Sequence, residues 1–213
     1  MSTGYKAFKK GMVCKGKQYK ENTTYKENGN EICEANIMHN NKDSAQMSSS
    51  GNYAQMSSNR NYARISSSGD SAQIDSSGDS AQISSSGNST QIGSSGYSAR
   101  ISSSGNYAQI GSSGNSAQIG SSGNSVQIGS SGDSARIVSE GKNSVVMAAG
   151  YNSTAKAKIG SWITLTEWKR AYTEDKSDLC WIPKCVKTEY VDGERIKENV
   201  FYKLENGEFV EAE

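Results

Sequence analysis

Serine is abundant in this chain of 213 residues, but its surroundings do not favour nucleophilic catalysis. A nucleophilic serine needs a base within hydrogen-bonding distance, and the chain contains one histidine, His39, which precedes the regular repeats described below. No G-x-S-x-G motif occurs either. We therefore predict that the serines are structural, in turns or in an inward-facing ladder, and that the protein is not an enzyme.

The four cysteines and the histidine do not form a recognisable metal or redox motif. The spacings of Cys14, Cys33 and His39 match no zinc pattern. Cys180 and Cys185 are separated by four residues and so are not a C-x-x-C pair. Few cysteines, all outside the repeats, suit reduced thiols in a cytoplasm better than a disulfide framework.

Calcium and nucleotide cofactors are not expected. Some nonapeptide β-rolls bind calcium through a unit of the G-G-x-G-x-D type. Here the turn of each unit has at most one glycine, and an acid stands at the turn position only in Asp43, Asp70, Asp79 and Asp133. The glycines recur every nine residues instead of clustering before a helix, which excludes P-loop and dinucleotide fingerprints. The sequence thus predicts neither a metal nor a cofactor.

Three arginines have the most informative spacing of all charged residues. Arg64, Arg100 and Arg136 replace a recurrent glutamine, and each lies 36 residues after the last. Because 36 residues are four repeat units, we expect the three side chains to point out from one face. Guanidinium groups so placed could each bind a carboxylate or a phosphate. The alternative, that they only add solubility or interrupt a glutamine ladder, stays open.

Charge and composition limit the classes of partner. Lys plus Arg number 23 and Asp plus Glu number 22, so no bulk field attracts nucleic acid or anionic lipid. The repeat region 43–141 has four Arg against six acidic residues, which favours an acidic protein patch over duplex DNA. The N-terminal residues lack a signal-peptide apolar run, and no stretch approaches the length of a membrane span. These features predict a cytoplasmic protein without a membrane partner.

The repeat itself is explicit. An apolar residue occurs every nine residues in eleven units that tile residues 43–141, at Met47, Met56, Ile65, Ile74, Ile83, Ile92, Ile101, Ile110, Ile119, Ile128 and Ile137. The consensus unit is N/D, S/Y, A, Q/R, I, x, S, S, G. The next apolar residue that we align, Met147, comes ten residues later, which predicts a register slip of one residue.

Each unit predicts one short strand and one turn. Ala and Ile are two residues apart, so they share a buried face while the Gln or Arg between them points out. In the S-S-G-N/D stretch we expect Gly to supply a positive φ and Asn or Asp to bond locally to the backbone. Two units then form a flattened coil of 18 residues, and stacked coils make a parallel β-solenoid of the β-roll type. A triangular coil of three units is the alternative.

The flanking segments are expected to cap the solenoid, because exposed terminal strands invite edge pairing. We predict a Lys-rich β cap over residues 1–34, the solenoid over 35–160 and an antiparallel β meander over 161–213. Two-residue turns at Asp192–Gly193 and Asn206–Gly207 predict β-hairpins in the meander.

The strings GKNSVVMAAGYNSTAKAKIGSWITLTEWK and CVKTEYVDGERIKENVFYKLENGEFVE, with the N-terminal YKAF and CKGKQY, resemble a group of uncharacterised proteins of bacteriophages and prophages of gut bacteria. That resemblance implies no activity and assigns no functional residue. By analogy with compact phage proteins, it favours an inhibitor of a host defence complex, for example a CRISPR nuclease, acting by protein–protein contact in the bacterial cytoplasm.

The alternative is a virion or surface component in which the solenoid forms a trimerising shaft. The stretch NSVVMAAGYNSTAKAKIG is weakly similar to head repeats of trimeric autotransporter adhesins, but the missing signal peptide does not favour that role. Association with further copies of the chain is left open.

Overall fold

A computed structural model of the chain describes residues 4–5, 37–40, 43–172 and 178–212, and all its regular elements are strands. The first ten are β1 (Gly4–Tyr5), β2 (Ile37–Asn40), β3 (Gln46–Ser49), β4 (Gln55–Ser58), β5 (Arg64–Ser67), β6 (Gln73–Ser76), β7 (Gln82–Ser85), β8 (Gln91–Ser94), β9 (Arg100–Ser103) and β10 (Gln109–Ser112). The others are β11 (Gln118–Ser121), β12 (Gln127–Ser130), β13 (Arg136–Ser139), β14 (Val145–Ala148), β15 (Thr154–Lys156), β16 (Trp162–Tyr172), β17 (Leu179–Tyr190), β18 (Phe201–Glu205) and β19 (Glu208–Ala212).

The strands form two sheets that face each other. Even-numbered strands from β2 to β16 are neighbours in one sheet, which we call the even sheet, and odd-numbered strands from β3 to β15 are neighbours in the other, the odd sheet. Pairing along the array is parallel and joins residues 18 apart, for example Gln109 with Gln127. This confirms a β-roll with two units per coil, stacked in about seven turns, and excludes the three-unit coil.

The core between the sheets is thin and is built from three inward positions per nine-residue unit. Ile101 is 3% exposed and Ala108 is fully buried, as the alternation predicts. The third inward position is the first serine after x, and its side chain is buried as well. Nine buried hydroxyls in the described part of the chain have no hydrogen-bond partner: Ser67, Ser76, Ser85, Thr90, Ser94, Ser103, Ser112, Ser130 and Ser139. In this layer serine therefore acts as a small space-filling side chain.

The recurrent turn glycines are required by close approach between coils, so the prediction that they supply a positive φ is wrong. A Cβ added to Gly105 would lie 1.8 Å from the carbonyl oxygen of Gly87 in the preceding coil. The left-handed backbone belongs instead to the Ser, Tyr or Asn two residues later, such as Ser116 with a φ of 58°. Glycine is thus needed here because two backbones touch.

The Asn or Asp of the turn bonds to the next coil, and the expectation of a local bond is also wrong. The Oδ1 of Asn106 accepts a hydrogen bond from the backbone amide of Asn124, 18 residues later, at 2.8 Å. The same ladder runs along both edges of the solenoid, from Asn52, Asp70, Asn88, Asn106 and Asn124 on one edge, and from Asn61, Asp79, Asn115 and Asp133 on the other. Tyr97 takes the place of an Asn in the second ladder and offers no such oxygen.

The nine-residue period continues past the predicted slip. Val146 is the inward residue and is fully buried, whereas Met147 points outward and is 46% exposed. Val146 pairs with Ile128, and the next residue at the Ile position of the repeat is Ala155, nine residues on, which pairs with Ile137. The period shortens only at Ile163, eight residues after Ala155, where the repeats give way to the C-terminal strands.

The C-terminal strands continue the two sheets separately as two antiparallel hairpins. The β16–β17 hairpin extends the even sheet, and β18–β19 extends the odd sheet by pairing with β15. The predicted hairpin at Asn206–Gly207 is confirmed, with both residues at positive φ. At Asp192–Gly193 the prediction is wrong, because the Asp192 carboxylate accepts two backbone amides, from Glu194 and Ile196, and the chain crosses from one sheet to the other.

The predicted cap over residues 1–34 lies outside the described residues except for Gly4–Tyr5, which pairs antiparallel with β2. The described segments contain no helix that is long and apolar enough to cross a membrane.

Candidate interaction surface

The three arginines lie in one outward column of the odd sheet, as their spacing predicts. Arg64, Arg100 and Arg136 begin β5, β9 and β13, and the intervening strands β7 and β11 place Gln82 and Gln118 between them. Consecutive arginines are two strand spacings apart, about 10 Å along the rod. We call this column the basic face.

Two members of the basic face have no charged partner. The side chains of Arg64 and Arg100 are exposed, and neither forms an ion pair with another described residue. A guanidinium has five donors and no acceptor, so in the isolated protein these groups are satisfied by water. They are free to exchange that water for an anionic group of a partner.

Arg136 differs because the C-terminal module reaches over it. Its guanidinium carbon lies 3.7 Å from the centre of the Phe201 ring, and the Lys156 ammonium lies 5.1 Å from the same ring. Such cation–π contacts hold a cation in place without neutralising it. The basic face therefore ends, towards the C terminus, in two positive groups that share one aromatic ring.

The acidic residues of the array are kept off this face. Asp70, Asp79 and Asp133 stand in the turns at the two edges, where their carboxylates accept backbone amides of the next coil. Asp75 points out from the even sheet. The outward positions of β3 to β15 in the odd sheet carry no carboxylate, so the array has one positive face although its net charge is negative.

The opposite face of the rod is a nearly uncharged groove that the sequence interpretation missed. Its volume is about 800 Å³, and its floor is formed by Gly93, Gly111 and Gly129 at the x position of three successive even strands. We call these residues the glycine trough. A glutamine stands beside each of them, in the column of Gln91, Gln109 and Gln127. The signal that could have found the trough is the 18-residue spacing of its glycines, offset from the turn glycines.

A cluster of ion pairs closes the C-terminal end of the roll. Arg195 donates two hydrogen bonds to the Glu189 carboxylate, which also pairs with Lys187 at 3.3 Å. The Arg195 guanidinium, followed by the Lys187 ammonium, lowers the pKa of Glu189 below its ordinary value, although burial acts in the opposite direction. Lys187 in turn pairs with Glu208 of β19 at 2.7 Å. The cluster thus joins the hairpins that extend the two sheets.

Other residues considered for chemistry do not meet in the described part of the chain. Side chains described in 43–172 and 178–212 include no group of three His, Cys, Asp or Glu that could hold a metal. Cys180 and Cys185 are free, half-buried thiols on β17. Cys14 and Cys33 lie outside the described residues, and only the backbone of His39 is described.

Comparison with known proteins gives one partial match. Residues 2–89 match a family described as a domain of unknown function, DUF7666. That match covers the N-terminal segment and the array through β7, less than half of the chain, and does not reach the basic-face residue Arg100 or the glycine trough. No curated protein and no solved structure matches the chain. The similarity therefore carries no activity over to this protein.

Proposed function

We propose that this protein is a non-catalytic binding protein that docks its basic face on an acidic surface of a protein partner. The observation that carries the proposal is the column of exposed, ion-pair-free Arg64 and Arg100 on a face without outward carboxylates. Charge-assisted hydrogen bonds from such guanidinium groups to carboxylates are among the stronger polar contacts of an interface.

The spacing of the basic face supports a protein partner over duplex DNA. Its arginines recur at about 10 Å along the rod, whereas phosphates along one DNA strand recur at about 3.4 Å of helix axis. Three guanidinium groups would neutralise few phosphates, and the chain has a net charge of only +1. Carboxylates on a folded acidic protein have no fixed repeat that the rod must match.

The resemblance to phage and prophage proteins suggests what that partner is. On that analogy we propose a host defence complex, for example a CRISPR nuclease, blocked by contact in the bacterial cytoplasm. The alternative of a trimerising shaft draws less support from the fold, because the column of Ile side chains is already buried within one chain.

Affinity capture with a charge-matched control tests the proposal. We expect the tagged wild-type protein to capture an acidic protein from the host lysate and the R64E/R100E variant to lose it. The control variant K142E/K169E makes the same change of four charge units at exposed residues off the basic face, and should retain the partner. Arg136 is left intact in both because Phe201 packs on it.

Two results would overturn the proposal. If R64E/R100E captured the same protein as the wild type, the basic face would not be the docking surface. If both variants lost the partner equally, bulk charge and not the arginine column would account for binding. Circular dichroism of both variants should be unchanged, since all four side chains are exposed.

A further inference from the structure

The glycine trough is not required by the fold. A Cβ added to Gly111 would meet nothing within 4 Å, in contrast to the turn glycines, where it would overlap a carbonyl oxygen. Serine occupies the same x position in other strands, for example Ser57 and Ser102. Glycine inside a strand costs roughly 0.5–1 kcal/mol relative to alanine, and it often marks a place where a ligand or another backbone approaches closely. The trough is therefore open at Gly111, whereas a Cβ on Gly93 would lie 2.5 Å from Asp75 Oδ1 and one on Gly129 would lie 3.7 Å from Met147 Cε. Gly111 is the place where a second molecule can enter.

The surroundings of the trough indicate what would fill it. Asp75 is the one charged side chain that lines the groove. At its C-terminal end the groove is lined by Val145 and Met147, which are 49% and 46% exposed, and Trp162, which pairs with Val145 on the next strand, is 47% exposed. Exposed apolar side chains grouped in this way are typical of protein–protein contacts. The glutamine column lies beside the trough. It supplies large, uncharged side chains, whereas the trough glycines have no side chain.

We infer that the even face pairs with the even face of a second copy of this chain, about a two-fold axis parallel to the rod. Rotation about this axis reverses the direction of the partner's strands and leaves each coil at the same height along the rod. The Gln column of one copy therefore faces the x-position column of the other. Gln109 of each copy then lies over Gly111 of the other, and Val145 lies against Met147. Gln109 of each copy fills the open position over Gly111 of its partner, which is the self-complementarity that an isologous interface needs.

Charge selects this face and not the opposite one. Pairing of two basic faces would bring the arginine columns of both copies into one interface, and like charges brought together there are destabilising. On the even face the Asp75 carboxylate would instead meet the Gln73 amide of the partner, because those residues occupy the two outward columns of the same strand. The pairing would leave the two basic faces pointing outward on opposite sides, so that the dimer presents two copies of the docking surface.

Sedimentation equilibrium of the full chain tests the inference without any ligand. We expect wild-type protein to show a reversible dimer of the 22.8 kDa chain. Gly111→Gln fills the trough and should weaken dimerisation at least tenfold. Gly120→Gln is the matched control, because Gly120 holds the same x position on the odd sheet and its Cβ would also meet nothing within 4 Å. It should leave the dimerisation constant unchanged.

A second variant guards against misfolding as the cause. Met147→Glu, at an exposed position at the C-terminal end of the groove, should also yield monomer while circular dichroism stays unchanged. A wild-type chain that sediments as a monomer at every concentration would overturn the inference. So would a Gly111→Gln protein that dimerises as tightly as the wild type, or a Gly120→Gln protein that loses the dimer equally.

Discussion

At the scale of single residues, two of the commonest positions of the repeat owe their identity to contacts between coils. The turn glycines leave room for the carbonyl of the coil before, and the Asn or Asp oxygens accept an amide of the coil after. The nine-residue period shows that Gly and Asn are needed at these positions. It does not show why, because glycine is selected both by a positive φ and by the close approach of two backbones. Sequence alone therefore predicted the positions and assigned the wrong physical cause.

The close-approach account predicts opposite effects for two glycine-to-alanine substitutions. Gly105→Ala would place a Cβ 1.8 Å from the Gly87 carbonyl oxygen, so the coils must separate. We expect a loss of about 1–3 kcal/mol or more in the free energy of unfolding. Gly120→Ala meets nothing within 4 Å and should raise that free energy by about 0.5–1 kcal/mol. Urea unfolding of both variants measures the difference, and equal effects would contradict the account.

At the scale of elements, the sequence predicts where the strands lie better than it predicts the register of each strand. Alternation of Ala, Gln and Ile specifies which face is buried, and the structure agrees from β3 to β13. Val146 and Met147 are adjacent and both apolar, so the sequence could not show which one faces in. The pairing of Val146 with the buried Ile128 shows that Val146 faces the core. Similarly, Asp-Gly at 192–193 has a hairpin composition, but the Asp192 carboxylate binds the local amides and the chain changes sheets.

The ion-pair cluster that joins the two C-terminal hairpins predicts a loss of stability in acid. Arg195 lowers the folded-state pKa of Glu189, so the carboxylate stabilises the fold fully above the unfolded-state pKa of about 4.3. That stabilisation is lost as the pH falls through the lower, folded-state pKa. Unfolding midpoints measured between neutral pH and about pH 3 should therefore decrease more for the wild type than for Glu189→Gln. Parallel curves for the two proteins would show that Glu189 makes no such contribution.

At the scale of the whole molecule, the two-unit coil sorts residues into two different faces. Residues 36 apart return to the same sheet, so the arginine column could be predicted from spacing, whereas residues nine apart alternate between sheets. The glycine trough was not predicted because its glycines cannot be distinguished from Gly120 in the sequence until the strands are assigned to sheets. The rod consequently has one positive face and one nearly uncharged face that carries Asp75, with most acids of the repeat array confined to the edges.

The most direct measurement of the central claim is the affinity of the captured partner, by calorimetry, as a function of salt concentration. The account predicts that wild-type affinity falls as salt screens the contact between the basic face and carboxylates. It also predicts that R64E/R100E binds more weakly by about 1.5–3 kcal/mol for each lost contact, roughly tenfold to a hundredfold. An affinity that is independent of salt, and equal for wild type and R64E/R100E, would contradict the claim that this face of the solenoid binds an acidic protein.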